Sequence, residues 1–118
     1  MIWIARALCA LVAVEHVYFL VLEMFLWKTP FGRRTFGTTP EFAESTAAMM
    51  ANQGLYNGFL AAGLGWGLAI GSRAIVVFFL GCVVVAGVVG GLTVKRAILF
   101  LQALPAAAAL AAAALAWY

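Results

Sequence analysis

Residues 2–27 read IWIARALCALVAVEHVYFLVLEMFLW, an apolar run that carries Glu15, His16 and Glu23 inside it. About 20 apolar residues suffice for a helix to cross a bilayer. An ionisable side chain at the centre of such a helix costs roughly 2.5–3.5 kcal/mol on insertion scales. Membrane proteins keep groups that expensive for a task, so this stretch locates a site as well as a span. It does not name a substrate. The apolar stretch is longer than the roughly 7–15 residues of a signal peptide, Glu15 interrupts it, and no small-residue cleavage site follows, so the segment reads as a retained helix.

Outside that run the composition is consistent. The chain has 118 residues, 67% hydrophobic and 9% charged, with a mean hydropathy of +1.10. A soluble domain carries about 25% charged residues, so this inventory cannot build a water-facing surface. The expected class is an all-α integral membrane protein, one domain over 1–118. Further apolar segments at about 50–70, 74–92 and 97–117 predict an up-down four-helix bundle, because the second and third connections are short. The first connection holds Pro30, Gly32, Gly37 and Pro40, which break a continuous helix. Within it, Thr39-Pro40-Glu41 has the pattern of a helix start, predicting a short interfacial helix from about Pro40, merging into the second span around Met49 to Asn52. Pro105 predicts a kink in the last span, and Trp117 and Tyr118 read as interfacial anchors.

The net charge of +3 is spread over loops and forms no nucleic-acid patch. It reads as a topology signal: Lys28, Arg33, Arg34, Lys95 and Arg96 fall in loops one and three, against Arg6 and Arg73 on the other side. The positive-inside rule then places loops one and three in the cytoplasm and both termini outside, in a cell inner (plasma) membrane. Cys9 and Cys82 stand alone and read as small buried hydrophobes. Glycines four apart (Gly54 and Gly58, Gly63 and Gly67, Gly67 and Gly71, Gly87 and Gly91) allow close helix approach, within one bundle or between subunits of a homo-oligomer.

Seven positions separate His16 from Glu23, which puts them on one helix face two turns apart. Glu15 and Tyr18 widen that face. The second span opens with Asn52, Gln53, Tyr56 and Asn57, where Gln53 and Asn57 share a face, as do Asn52 and Tyr56. Gln102 on the fourth span falls in the same half of the membrane. Buried amides, tyrosines and a histidine can serve purely as interhelical glue, each pair worth about 0.6 kcal/mol. The two glutamates are harder to explain that way, having no cation at i±3 or i±4 within the span, although Lys28 can reach back towards Glu23. Desolvation favours the neutral form of a carboxyl, the condition for proton exchange near neutral pH. The reading is of Glu15, His16 and Glu23 as acid–base or cation-binding groups, with Tyr18, Asn52, Gln53, Tyr56, Asn57 and Gln102 orienting a ligand. No HxxxH or ExxH spacing marks a metal site, and no cofactor motif is present.

Three stretches carry a family resemblance: Glu15-His16-Val17-Tyr18 through Leu22-Glu23-Met24-Phe25, then Asn52-Gln53-Gly54-Leu55-Tyr56-Asn57-Gly58, then Gly91-Leu92-Thr93 with Ile98-Leu99 and Gln102-Ala103-Leu104-Pro105. Together they resemble the small bacterial membrane proteins grouped as domain of unknown function 1304. The resemblance implies a four-span fold whose signature residues coincide with the polar set, and supplies no activity. Three functions stand open: an intramembrane site for a lipophilic or amphipathic small molecule, with acid–base chemistry in an enzymatic version; a proton-coupled exporter of the small multidrug type; and a non-catalytic scaffold.

Overall fold

The computed structural model describes residues 1–117; the anchoring role expected of Tyr118 lies outside the described residues. All regular structure among them is helical: α1 (Ile2–Met24), α2 (Pro30–Phe36), α3 (Pro40–Ile70), α4 (Arg73–Thr93), a π-helical turn (Leu99–Ala103) and α5 (Leu104–Ala116). Three helical stretches are long and apolar enough to cross a bilayer, namely Ile2–Met24, Arg73–Thr93 and Leu99–Ala116. They mark a membrane protein. α3 is longer than any of these but carries the polar residues of both the first connection and the second segment.

The helix expected from Pro40 is present and merges into the second segment, α3 running unbroken from there to Ile70. Its start signal is real, since the Thr39 hydroxyl accepts from the Phe42 N–H at 3.1 Å with Pro40 behind it. What the sequence reading lacks is a separate short helix earlier in the connection. Thr29 caps α2 by accepting from Gly32 N–H at 3.1 Å, Pro30 opens the helix, and Gly37 closes it in the left-handed region at φ 67°. α1 also ends before Trp27, at Met24.

Near Pro105, where the sequence predicts a kink, the helix carries a π-helical turn just before the proline. Proline has no N–H, and its ring crowds the carbonyl four residues back. Widening the preceding turn, so that Leu104 N–H bonds to Leu99 O, accommodates both.

The chain divides into two compact units. One comprises residues 1–14 and the chain from Leu60 onward. Its core is made of small apolar side chains: Ala5, Cys9, Val12, Leu64, Val76, Leu80, Val83, Ala106, Ala109 and Ala113, closed at one end by Trp117. Glycines set the spacing here: a Cβ on Gly87 would lie 2.5 Å from the Ala103 nitrogen, and one on Gly67 2.7 Å from Val76 Cγ2. The other unit, Glu15–Phe59, contains the end of α1, all of α2 and the first two-thirds of α3.

Candidate functional site

Eight of the nine polar residues singled out in the sequence fall in the Glu15–Phe59 unit, and the structure sorts them sharply. Glu23 and Asn57 come together. Both are buried, at 9% and 7% exposure, and the Asn57 Nδ2 donates to Glu23 Oε1. Two glycines on α3 make this reach possible. A Cβ added to Gly54 would meet Met24 Cγ at 2.7 Å, Glu23 Cβ at 3.1 Å and the Leu20 carbonyl at 3.3 Å. One on Gly58 would meet Leu20 Cδ1 at 2.6 Å. With hydrogen in place of those methyls, α3 lies against the last turns of α1, close enough for a short amide to touch a carboxyl.

His16 is fully buried, with the Phe19 ring edge-on at 5.2 Å. Glu15 is partly buried; its Oε1 is shut away from solvent and has no hydrogen-bond partner. A carboxyl oxygen left without a donor in low dielectric is costly unless something else meets it.

The remaining residues of this unit do not converge on that pair. Tyr18, Asn52, Gln53 and Tyr56 are exposed on the unit's surface. Gln53 therefore parts from Asn57 although the two share a helical face, because the glycine contact at Gly54 and Gly58 turns only the Asn57 side inward. Gln102 lies in the other unit, half-buried within the π-helical turn. Lys28 does not reach back to Glu23; its Nζ pairs with Glu44 at 3.5 Å, both side chains well exposed. The turn after Met24 carries Lys28 away from the axis of α1.

A second cluster in this unit went unread in the sequence. Trp27 Nε1 donates to Thr46 Oγ1 at 3.0 Å, and its ring lies 4.8 Å from that of Phe36. Gly32 packs so closely beneath the Leu26 carbonyl that a Cβ would fall 1.9 Å from the oxygen. These contacts fold α2 back onto the end of α1. The signal was available: Thr29-Pro30 repeats the Thr39-Pro40 start pattern ten residues earlier.

No group of three or more His, Cys, Asp or Glu positioned for a metal occurs among the described residues. Two open grooves lie elsewhere, of about 310 Å³ beside Val84, Leu99 and Leu104 and about 750 Å³ beside Phe78, Cys82 and Val85. Both are lined by apolar residues and neither includes a carboxylate.

No curated protein and no solved structure matches this chain. A family model does, that of the protein of unknown function DUF1304, over residues 10–114. With nearly the whole chain covered by that match, the protein belongs to the DUF1304 family.

Proposed function

We propose that the Glu15–Phe59 unit binds an amphipathic small molecule carrying an amine, received within the bilayer by the carboxyl of Glu15. One observation carries this reading: Glu15 presents a buried oxygen with no partner, whereas Glu23 has the Asn57 amide. A carboxylic acid in that setting gives its proton to an arriving amine, and the resulting carboxylate and ammonium neutralise each other. Such pairing is how intramembrane charge is tolerated. Glu23 and Asn57 hold the neighbouring turn of α1 in place, and the same proton exchange is what acid–base chemistry at this position would use.

The frame proposed for the site is a four-span bundle in a cell's inner (plasma) membrane. α3 supplies the span that apolarity alone does not mark, since its residues 55–70 are free of charge and continue a helix of 31 residues. The excess of basic residues in loops one and three supports a cytoplasmic position for those loops.

Binding to the full chain in lipid nanodiscs tests the reading, with dodecylamine and dodecanol competing against a fluorescent long-chain amine. Dodecylamine is expected to displace the probe and dodecanol to fail. Glu15→Gln is expected to weaken binding at least tenfold. Equal displacement by amine and alcohol, or unchanged binding in Glu15→Gln, leaves these polar groups as packing alone.

A further inference from the structure

All four carboxylate side chains of this chain lie between residues 15 and 44. The unit formed by residues 1–14 and the chain from Leu60 onward therefore holds Arg6, Arg73, Lys95 and Arg96 with no Asp or Glu at all. Lys95 and Arg96 sit exposed in the connection after α4. Arg73 is exposed too, but it and the half-exposed Arg6 are each held by contacts and lie together.

Arg6 is only half-exposed and is held by aromatic faces. Its guanidinium carbon lies 4.8 Å from the ring centre of Trp117 and 5.7 Å from that of Trp3. Trp117 is itself fixed: it is 1% exposed, and its Nε1 donates to the Gly71 carbonyl at 3.3 Å. A Cβ on Gly71 would lie 3.4 Å from Arg6 Nη2, so this arginine reaches the turn between α3 and α4. Two residues on, Arg73 Nη2 donates to the Ala114 carbonyl at 3.1 Å in the last turn of α5. That bond takes up one of the five N–H donors of a guanidinium. Both arginines thus converge on one end of the unit, where α1 and α4 begin and α5 ends.

Aromatic faces attract a guanidinium but do not neutralise it or accept its in-plane N–H groups. The nearest carboxylate along α1 is Glu15, nine residues on, or about 13 Å at 1.5 Å per residue. We propose that Arg6 and Arg73 form a binding site for the phosphodiester of an anionic phospholipid. The fork geometry of arginine matches two phosphate oxygens. Tryptophans belong at the depth of the headgroups, and an end of a spanning helix puts the guanidinium groups there. Stacking on Trp3 and Trp117 fixes the direction of Arg6 in advance, which separates this end from the exposed pair Lys95 and Arg96. The site lies in the unit that the amine-binding proposal does not use, so the two stand or fall separately.

Native mass spectrometry of the full chain in detergent, titrated with phosphatidylglycerol or phosphatidylcholine of matched acyl chains, reads the site directly. One phosphatidylglycerol is expected to be retained in at least fivefold excess over phosphatidylcholine. Arg6→Gln and Arg73→Gln are each expected to remove that excess, and Lys95→Gln to leave it intact. Arg6→Lys, which keeps the charge and the fold but loses the fork, is expected to retain less than half of it. Millimolar inorganic phosphate is expected not to displace the lipid. Equal retention of the two lipids overturns the proposal, as does an unchanged excess in Arg6→Gln. An equal loss in Lys95→Gln also overturns it, because it would mean unspecific charge attraction, and displacement by inorganic phosphate would overturn the lipid assignment.

Discussion

The two units of this chain solve the same problem with different means. The unit built on α4 and α5 buries alanine, valine and leucine and keeps its arginines at the end. The Glu15–Phe59 unit buries a histidine, a glutamate and an asparagine, with glycines on α3 bringing the last two together. In lipid there is no hydrophobic gain from bringing apolar helices together, so close packing is the chief cohesion available to the first unit. The second adds hydrogen bonds but takes on the cost of polar atoms buried away from water. Packing alone accounts for the first; it does not account for leaving Glu15 Oε1 unmet.

The sharpest break in that comparison comes from adding one methyl to each unit. At Gly87 the new Cβ would face backbone, 2.5 Å from the nitrogen and 2.8 Å from the Cα of Ala103. At Gly54 its nearest neighbour is the side chain of Met24, which can swing aside. Gly87→Ala is expected to cost about 3 kcal/mol, the upper part of the overpacking range, and Gly54→Ala about 1 kcal/mol. Gly81, with nothing within 4 Å of its added Cβ, serves as the control: Gly81→Ala is expected to stabilise by up to about 1 kcal/mol through helix propensity. Denaturation in a single detergent reads all three. Equal losses at Gly87 and Gly54 would mean that the polar unit is packed as rigidly as the apolar one.

Between the carboxyl and the amide the expected effect is smaller. Asn57→Leu leaves Glu23 buried without its donor and is expected to cost about 1–2 kcal/mol. Glu23→Leu combined with Asn57→Leu is expected to recover most of that loss, since replacing both polar partners removes the unmet group. A double variant no more stable than Asn57→Leu alone would show that the pair does not act as a unit.

How much of this was legible in the sequence follows from what each signal measures. Apolar length gave the helical membrane class, and Thr39-Pro40 marked a helix start that the Thr39 hydroxyl indeed caps. Helical periodicity placed Gln53 and Asn57 on one face, yet only Asn57 turned inward. Periodicity reports angle around an axis and not where the neighbouring helix touches; that was decided by Gly54 and Gly58. Spacing also could not tell that the chain turns after Met24, so Lys28 looked available to Glu23. The helix at Pro30 was signalled by the same Thr-Pro pattern as Pro40, but the glycine beneath it, Gly32, reads in sequence only as a breaker.

The fold-back of α2 offers a smaller test of the polar unit. Trp27→Phe keeps the ring beside Phe36 and loses the bond to Thr46, with an expected cost of about 1 kcal/mol. Amide exchange over α2 is expected to rise in step. Unchanged exchange would mean that ring packing alone holds the segment.

Smallest of all is the effect expected at Lys28. Its partner Glu44 stands at 3.5 Å with both side chains largely in solvent, and exposed pairs of this kind contribute about 0.5 kcal/mol or less. Lys28→Ala is therefore expected to leave stability within that margin and dodecylamine binding unchanged. The result matters because it separates two accounts of how the buried acids are tolerated. If Lys28 were the counter-charge of Glu23, its removal would disturb the pair with Asn57, and stability would fall as far as in Asn57→Leu. An indifferent Lys28→Ala leaves Glu23 dependent on the neutral amide of Asn57.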